Sequence, residues 1–202
     1  MSMQERRLAV VMFADLRGFT RMIVNLEPHE AILVLNEHFS AMTKIVYDFE
    51  GTIFDLAGDE LMVGFNVPIE QPDAFARSVE TAIHMQSRFN QLRHRIRELI
   101  DTDLDLGLGI GIDEGHVVVG NVGAEKRMNF AMVGEAVNTA HRYVDLADDG
   151  QIVISAGIYE YTKQHRPDLL ESQPLTPMGP TALKGKAELE ELFKIECPRT
   201  PL

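Results

Sequence analysis

At 202 residues, 45% of them hydrophobic and 25% charged, the chain has material for one sizeable core, and residues 1–202 are expected to form a single domain with its core over about 8–195. A net charge of -12 argues against nonspecific binding to DNA or anionic lipid, so no nucleic-acid partner and no direct membrane contact are expected. Cys197 is the one cysteine, which excludes a disulfide framework, a cysteine zinc site and a CxxC redox pair; with no signal peptide and no apolar run of bilayer length, a soluble, reducing, cytoplasmic setting is expected.

Residues 8–14 form a nearly unbroken apolar run, which predicts a central buried strand, and Gly18 and Thr20 then open a loop. Pro28 suits a first helical turn. Ala31, Ile32, Leu35, Phe39, Met42, Ile45, Val46 and Phe49 follow at helical spacing, predicting a long amphipathic helix stopped by Gly51. Segments 52–56 and 61–65 flank Ala57-Gly58-Asp59-Glu60 and predict a β-hairpin. Gln71-Pro72-Asp73 starts a second helix with Ala74, Phe75, Val79, Ala82, Ile83, Met85 and Phe89 on its apolar side. Its tail, Arg93-His94-Arg95-Ile96-Arg97, reads as a solvated C-terminus that complements the helix dipole.

Segment 104–112 alternates Leu and Ile with Asp and Gly, as a strand approached closely by another backbone would. Asp113-Glu114-Gly115 is expected to turn it into 116–120 as a second hairpin, with a tight turn at Gly120-Asn121-Val122-Gly123. A third helix over 135–146, a strand over 152–154 and a short helix over 156–164 come next. An irregular excursion over 165–180 and a last strand pair, 181–186 with 192–195, complete the chain. Strand, helix, hairpin, helix, strand pair, helix is the order of an α+β ferredoxin-like sandwich with additions: a central, mostly antiparallel sheet with flanking helices.

Asp15 ends the first strand and Asp59 sits at a hairpin tip, so adjacent central strands would bring both carboxylates to one sheet edge. Hard oxygen ligands suit two Mg²⁺ or Mn²⁺ ions, which keep water and accept further ligands from a phosphate. Two ions about 3.5–4 Å apart stabilise both the attacking and the leaving oxygen of an in-line displacement. Taken singly, Asp15 reads as a loop cap and Asp59 as a turn residue. Asn138 and Arg142 are four apart on a helix and share a face; Arg holds phosphoryl oxygens bidentately and Asn can orient a ribose. Gly107, Gly109 and Gly111 lie within a strand and lack the strand-to-helix setting of a phosphate loop. Lys184 and Lys186 could reach a terminal phosphate or be ordinary turn lysines.

These residues resemble the class III nucleotidyl cyclases, the adenylate and guanylate cyclase catalytic domain. The likeness runs from about Leu8 to Ile195, most specifically at 13–20, Gly58-Asp59, 120–123, and Arg127 through Val133-Gly134 to Asn138 and Arg142. It implies an enzyme in which the ribose 3′-hydroxyl of a nucleoside triphosphate attacks its own α-phosphorus and expels pyrophosphate. By that likeness Asp15 and Asp59 hold two metal ions, Asn138 positions the ribose, Arg142 stabilises the α-phosphoryl, and Lys184 contacts the distal phosphates. It also implies a head-to-tail homodimer, with metal aspartates from one subunit and the Asn/Arg helix from the other.

The chain departs from the adenylate pattern at the base-selecting positions, where Asp55 stands for the usual Lys and Ala131, after Phe130, for the usual Asp or Thr. Adenine N1 accepts a hydrogen bond, which a carboxylate cannot give. Guanine N1–H and N2–H₂ donate, so Asp55 and Ala131 favour GTP over ATP; a mismatched buried group costs about 1–3 kcal/mol. Uracil N3–H would also satisfy Asp55, which keeps a pyrimidine cyclase open. Ala57-Gly58-Asp59-Glu60-Leu61 also echoes the diguanylate cyclase hairpin, but those enzymes lack the Asn138/Arg142 helix. A degenerate domain that dimerises and senses nucleotide is the non-enzymatic alternative.

Overall fold

Glu5–Arg17 forms β1, thirteen residues long and central to the sheet. In this computed structural model, residues 5–100, 105–124, 127–186 and 188–199 are described. Side chains alternate across a strand, and β1 uses both faces. Val10, Met12, Ala14 and Leu16 enter the larger core, whereas Ala9, Val11 and Phe13 enter a smaller one on the opposite face. Asp15 and Arg17 continue that second set.

After β1 the expected loop is a short helix, α1 (Phe19–Met22), reached through Gly18 at φ 86° and followed by a 3-10 turn over Ile23–Asn25. The long helix α2 (Pro28–Asp48) starts with Pro28 in its first turn and a capping box, in which the Glu27 backbone N–H donates to Glu30 Oε2 at 2.9 Å. Its stop differs in detail from expectation: Glu50 takes the left-handed conformation at φ 57°, and Gly51 is needed for space. A Cβ on Gly51 would stand 2.8 Å from the Val46 side chain and 3.0 Å from that of Phe65.

The hairpin β2 (Thr52–Ala57) and β3 (Glu60–Phe65) follows, with Gly58 at φ 63° in its turn. The second helix, α3 (Ala74–Ile100), packs beside α2 over the larger core. Its basic tail is not wholly solvated: Arg93 is buried and faces Asp149 at 3.5 Å, and Arg95 donates to Glu37.

β4 (Gly107–Ala124) is one strand of eighteen residues, not the expected hairpin. It pairs with β1 from Arg17↔Gly107 to Glu5↔Val119, so Asp113-Glu114-Gly115 lies in regular ladder. Gly120 to Gly123 is likewise strand, paired with β5 (Arg127–Val133), which carries the true second hairpin. Helix α4 (Glu135–Asp145), strand β6 (Gln151–Ser155) and helix α5 (Ala156–His165) follow much as expected.

The excursion over 165–180 is ordered: α6 (Pro167–Glu171), then β7 (Leu175–Ala182), antiparallel to β8 (Leu189–Glu196). Lys184 and Lys186 lie in the turn between them, not in a strand. The sheet order is β2-β3-β1-β4-β6-β8-β7 with β5 on β4, and among the described residues only β4 and β6 run parallel. Strands β2-β3-β1-β4 with α2 and α3 on one face make the ferredoxin-like unit. The smaller core lies beneath α4 on the other face, through Ala136, Ala140 and Val144.

Candidate active site

The site grows from where β1 meets the β2–β3 hairpin. Antiparallel register sets Asp15 opposite Glu60, beside the turn that holds Asp59. Asp15 and Asp59 are therefore brought together, as expected. Burial raises the proton affinity of Asp15, the Asp59 charge raises it further, and the neighbouring Arg17 guanidinium opposes both. Asp59 and Glu60 are also shifted upward, chiefly by burial. All three carboxylates hold protons more tightly than usual because the edge is partly buried.

Helix α4 lies over this edge because β4 offers it a smooth track. A Cβ on Gly111 would come within 2.2 Å of the Val144 backbone nitrogen, and one on Gly109 within 2.6 Å of the Ala147 carbonyl oxygen. These glycines are the close backbone approach that their spacing predicted. With its apolar stripe seated, α4 turns Asn138 to solvent. Successive helical residues are about 100° apart, so His141 and Arg142 lean to opposite flanks of that exposed stripe.

On one flank, His141 lies 3.3 Å from Glu60 and edge-on to Phe13, with ring centroids 5.3 Å apart. The charges of Asp145 and His141 also act on Asp15, after those of Asp59 and Arg17. On the other flank, a Cβ on Gly185 would stand 3.2 Å from Arg142 Nη2, which places the Lys184 turn beside Arg142. Lys186 is engaged elsewhere, by Glu190 at 2.6 Å and Glu135 at 3.5 Å. The side chains of Asn138, Arg142 and Lys184 have no hydrogen-bond or ion-pair partner among the described residues. Within one chain, then, the carboxylate edge and the Arg142–Lys184 side flank α4 from opposite directions.

Asp55 is exposed on β2, just past a register shift, and its Oδ1 accepts from the Leu56 backbone N–H at 2.9 Å. The preceding Phe54 stacks on Phe130 of β5 at 5.6 Å and 19°. Asp55 and Ala131 each follow one of these stacked rings, so both candidate base-selecting positions border the β2–β5 contact.

Arg17 was not singled out from the sequence. It donates to Asp15 Oδ2 at 2.5 Å, to the Ala147 carbonyl at 2.8 Å, and to the Val144 carbonyl. Strand period alone would have placed it on the face of Asp15, two residues away. Glu60, His141 and Asp145 join the site only through pairing and packing that no local motif encodes.

Could these residues hold divalent ions? Among the described residues no group of three or more His, Cys, Asp or Glu converges as a self-sufficient metal cage. Magnesium is ordinarily held by one or two carboxylates plus water and substrate phosphate, and Asp15 with Asp59 on one partly buried edge fits that pattern.

Residues 1–195 match the family described as the Adenylate and Guanylate cyclase catalytic domain. The chain is 25% identical over 191 residues to Adenylate cyclase 1 of Rhizobium meliloti (strain 1021), covering 94% of this chain and 28% of that protein. It is 26% identical over 182 residues to Guanylate cyclase 32E of Drosophila melanogaster, covering 89% and 15% respectively. It thus spans less than a third of either curated relative.

Among solved structures, the adenylyl cyclase CyaB from P. aeruginosa superposes with a TM-score of 0.88 at 29% identity, covering 98% of each chain. The guanylyl cyclase Cya2 gives 0.84 at 30% identity, covering 95% of this chain and 93% of that one. The fold is that of a class III cyclase catalytic domain. The chain belongs to the adenylate and guanylate cyclase catalytic domain family, a family of enzymes.

Proposed function

We propose that this domain, as a head-to-tail homodimer, converts a nucleoside triphosphate, preferentially GTP, to its 3′,5′-cyclic monophosphate and pyrophosphate. The observation that carries the proposal is the division of α4. Carboxylates Asp15 and Asp59 gather on one flank, while Arg142 and the Lys184 turn wait unpartnered on the other. A second copy facing the first would set one chain's carboxylates against the other's Asn138, Arg142 and Lys184, completing two equivalent sites.

In each site Asn138 orients the ribose by hydrogen bonding. Arg142 offers a planar fork to the α-phosphoryl oxygens as the 3′-oxygen–phosphorus bond forms and the bond to the pyrophosphate oxygen breaks, the hydroxyl proton passing to solvent water. Lys184 neutralises the distal phosphates as a point charge. Two Mg²⁺ or Mn²⁺ ions held by Asp15 and Asp59 would screen the triphosphate and acidify the 3′-hydroxyl.

Asp55 supports the GTP preference because its carboxylate accepts from ring N–H groups; ATP and pyrimidine triphosphates are the competing substrates. No helix among the described residues is long and apolar enough to cross a membrane. A cytoplasmic setting, where ribonucleoside triphosphates are abundant, belongs to the same proposal.

The direct test is to incubate the purified chain with Mn²⁺ and each of the four ribonucleoside triphosphates and weigh the products by mass spectrometry. One cyclic mononucleotide, from GTP above the others, is expected. Silence toward all four from a demonstrably dimeric preparation would contradict catalysis and favour the degenerate, dimerising module.

A further inference from the structure

Asp15 is the one proposed catalytic-site residue that already has a strong partner in the chain. Its Oδ2 accepts from Arg17 Nη1 at 2.5 Å, and the same guanidinium spends its other nitrogens on helix α4. Nε donates to the Ala147 carbonyl at 2.8 Å and Nη2 to that of Val144. The α4 helix ends at Asp145, so these acceptors lie at and just past its C-terminal end, where carbonyls carry the negative end of the helix dipole; the Val144 carbonyl also accepts from the Ala147 backbone N–H at 3.0 Å.

Three features make this a built arrangement rather than a surface ion pair. The Asp15 and Arg17 side chains are both largely buried, at 24% and 26% relative exposure. Strand period puts them on one face. Gly109 leaves the room the guanidinium fills: a Cβ there would stand 2.6 Å from both Arg17 Nε and Nη2.

We propose that Arg17 is a positioning residue whose guanidinium stands in for a divalent cation at Asp15 while pinning the C-terminal end of α4, so that cation loading and placement of the Asn138–Arg142 helix are linked within each chain. The inference rests on the metal role given to Asp15 above. A cation arriving at Asp15 meets the fixed positive charge of Arg17, which lowers its affinity by Coulomb repulsion and by competing for the same oxygen. The two carbonyl bonds stay with Arg17 when it yields Asp15, so any shift of the guanidinium is passed to the end of α4. Because α4 brings Asn138 and Arg142 to one site of the dimer while Asp15 serves the other, Arg17 ties the two sites together through a single side chain.

The test measures Mn²⁺ binding to the nucleotide-free protein by the loss of the free-ion electron paramagnetic resonance signal, in the native chain, Arg17→Gln, Arg17→Lys and Asp15→Asn. Turnover at saturating Mn²⁺ is measured alongside. Arg17→Gln removes the charge and should bind Mn²⁺ roughly tenfold more tightly, while turning over more slowly because the helix end is released. A merely structural role would not tighten metal binding.

Arg17→Lys keeps the charge without the three-way fork. It should bind Mn²⁺ within about twofold of the native chain, yet lose several-fold in turnover with little change in KM. If Arg17→Gln does not fold, Arg17→Lys decides: native turnover from it overturns the proposal. Unchanged or weaker Mn²⁺ binding in Arg17→Gln, with Asp15→Asn still abolishing binding, overturns the proposal and leaves the metal role intact. Full Mn²⁺ binding by Asp15→Asn overturns the metal role itself, and this inference with it.

Discussion

Asp55 reaches solvent from a strand whose register shifts just before it, and its neighbour Phe54 is fixed by stacking on Phe130. A carboxylate on such a braced support can meet the edge of a purine without moving the backbone. Replacing it by lysine exchanges an acceptor for a donor, the polarity that adenine N1 demands. Asp55→Lys should therefore move the GTP-to-ATP ratio of kcat/KM toward ATP by about tenfold, the scale of one mismatched hydrogen-bonding group. An unchanged ratio in side-by-side assays would remove Asp55 from base selection. At this scale the sequence was readable wherever chemistry is local. Asp15, Asp59, Asn138 and Arg142 sit in short runs that carry their own context, whereas Glu60 and Asp145 matter through register and packing with distant segments.

Elements were misread where tertiary pairing overrode turn chemistry. Asp113-Glu114-Gly115 has the composition of a turn, yet β1 is long enough to hold β4 straight through it. Buried Asp113, whose carboxyl is pushed up to about 8 by desolvation, and Glu114, accepting from Ser155, are the outcome. The prolines of 165–180 suggested irregular chain. Pro167 starts α6, and Pro177 and Pro180 fall on β7, at the sheet edge where a missing N–H is tolerated.

Helix α2 carries a cost of its own. His38 is fully buried between Phe39 and Phe89, neither ring nitrogen has a partner, and burial lowers its pKa to about 4. Above the ordinary value near 6.5 both folded and unfolded states hold it neutral. As pH falls from there toward 4 only the unfolded state gains the proton, so stability is lost, by up to roughly 3 kcal/mol. Thermal unfolding at pH 7.5 and 4.5 should show a smaller acid-induced drop in Tm for His38→Leu than for the native chain. Equal drops would mean that His38 gains its proton without unfolding.

At the scale of the molecule, the β4–β5 hairpin leaves Val122 54% and Val133 59% exposed, with Met128 and Phe130 exposed beside them. Large apolar side chains exposed on both faces of one hairpin arm are the kind of surface that a second subunit covers. It also borders the stacked Phe54–Phe130 pair, so an interface there would lie next to the proposed base pocket. Sequence pattern gave the ferredoxin-like order, because hydrophobic periodicity follows each element's own burial. It could not show that α4 stands between the carboxylate edge and the Arg142–Lys184 side.

That separation is the central claim, and one mixing experiment tests it most directly. Asp15→Ala and Arg142→Ala should each be inactive alone. Mixed in equal amounts and allowed to exchange subunits, they should recover roughly a quarter of native activity, since half the dimers are mixed and each mixed dimer rebuilds one of two sites. No recovery, with subunit exchange demonstrated by mass, would contradict a site shared between chains.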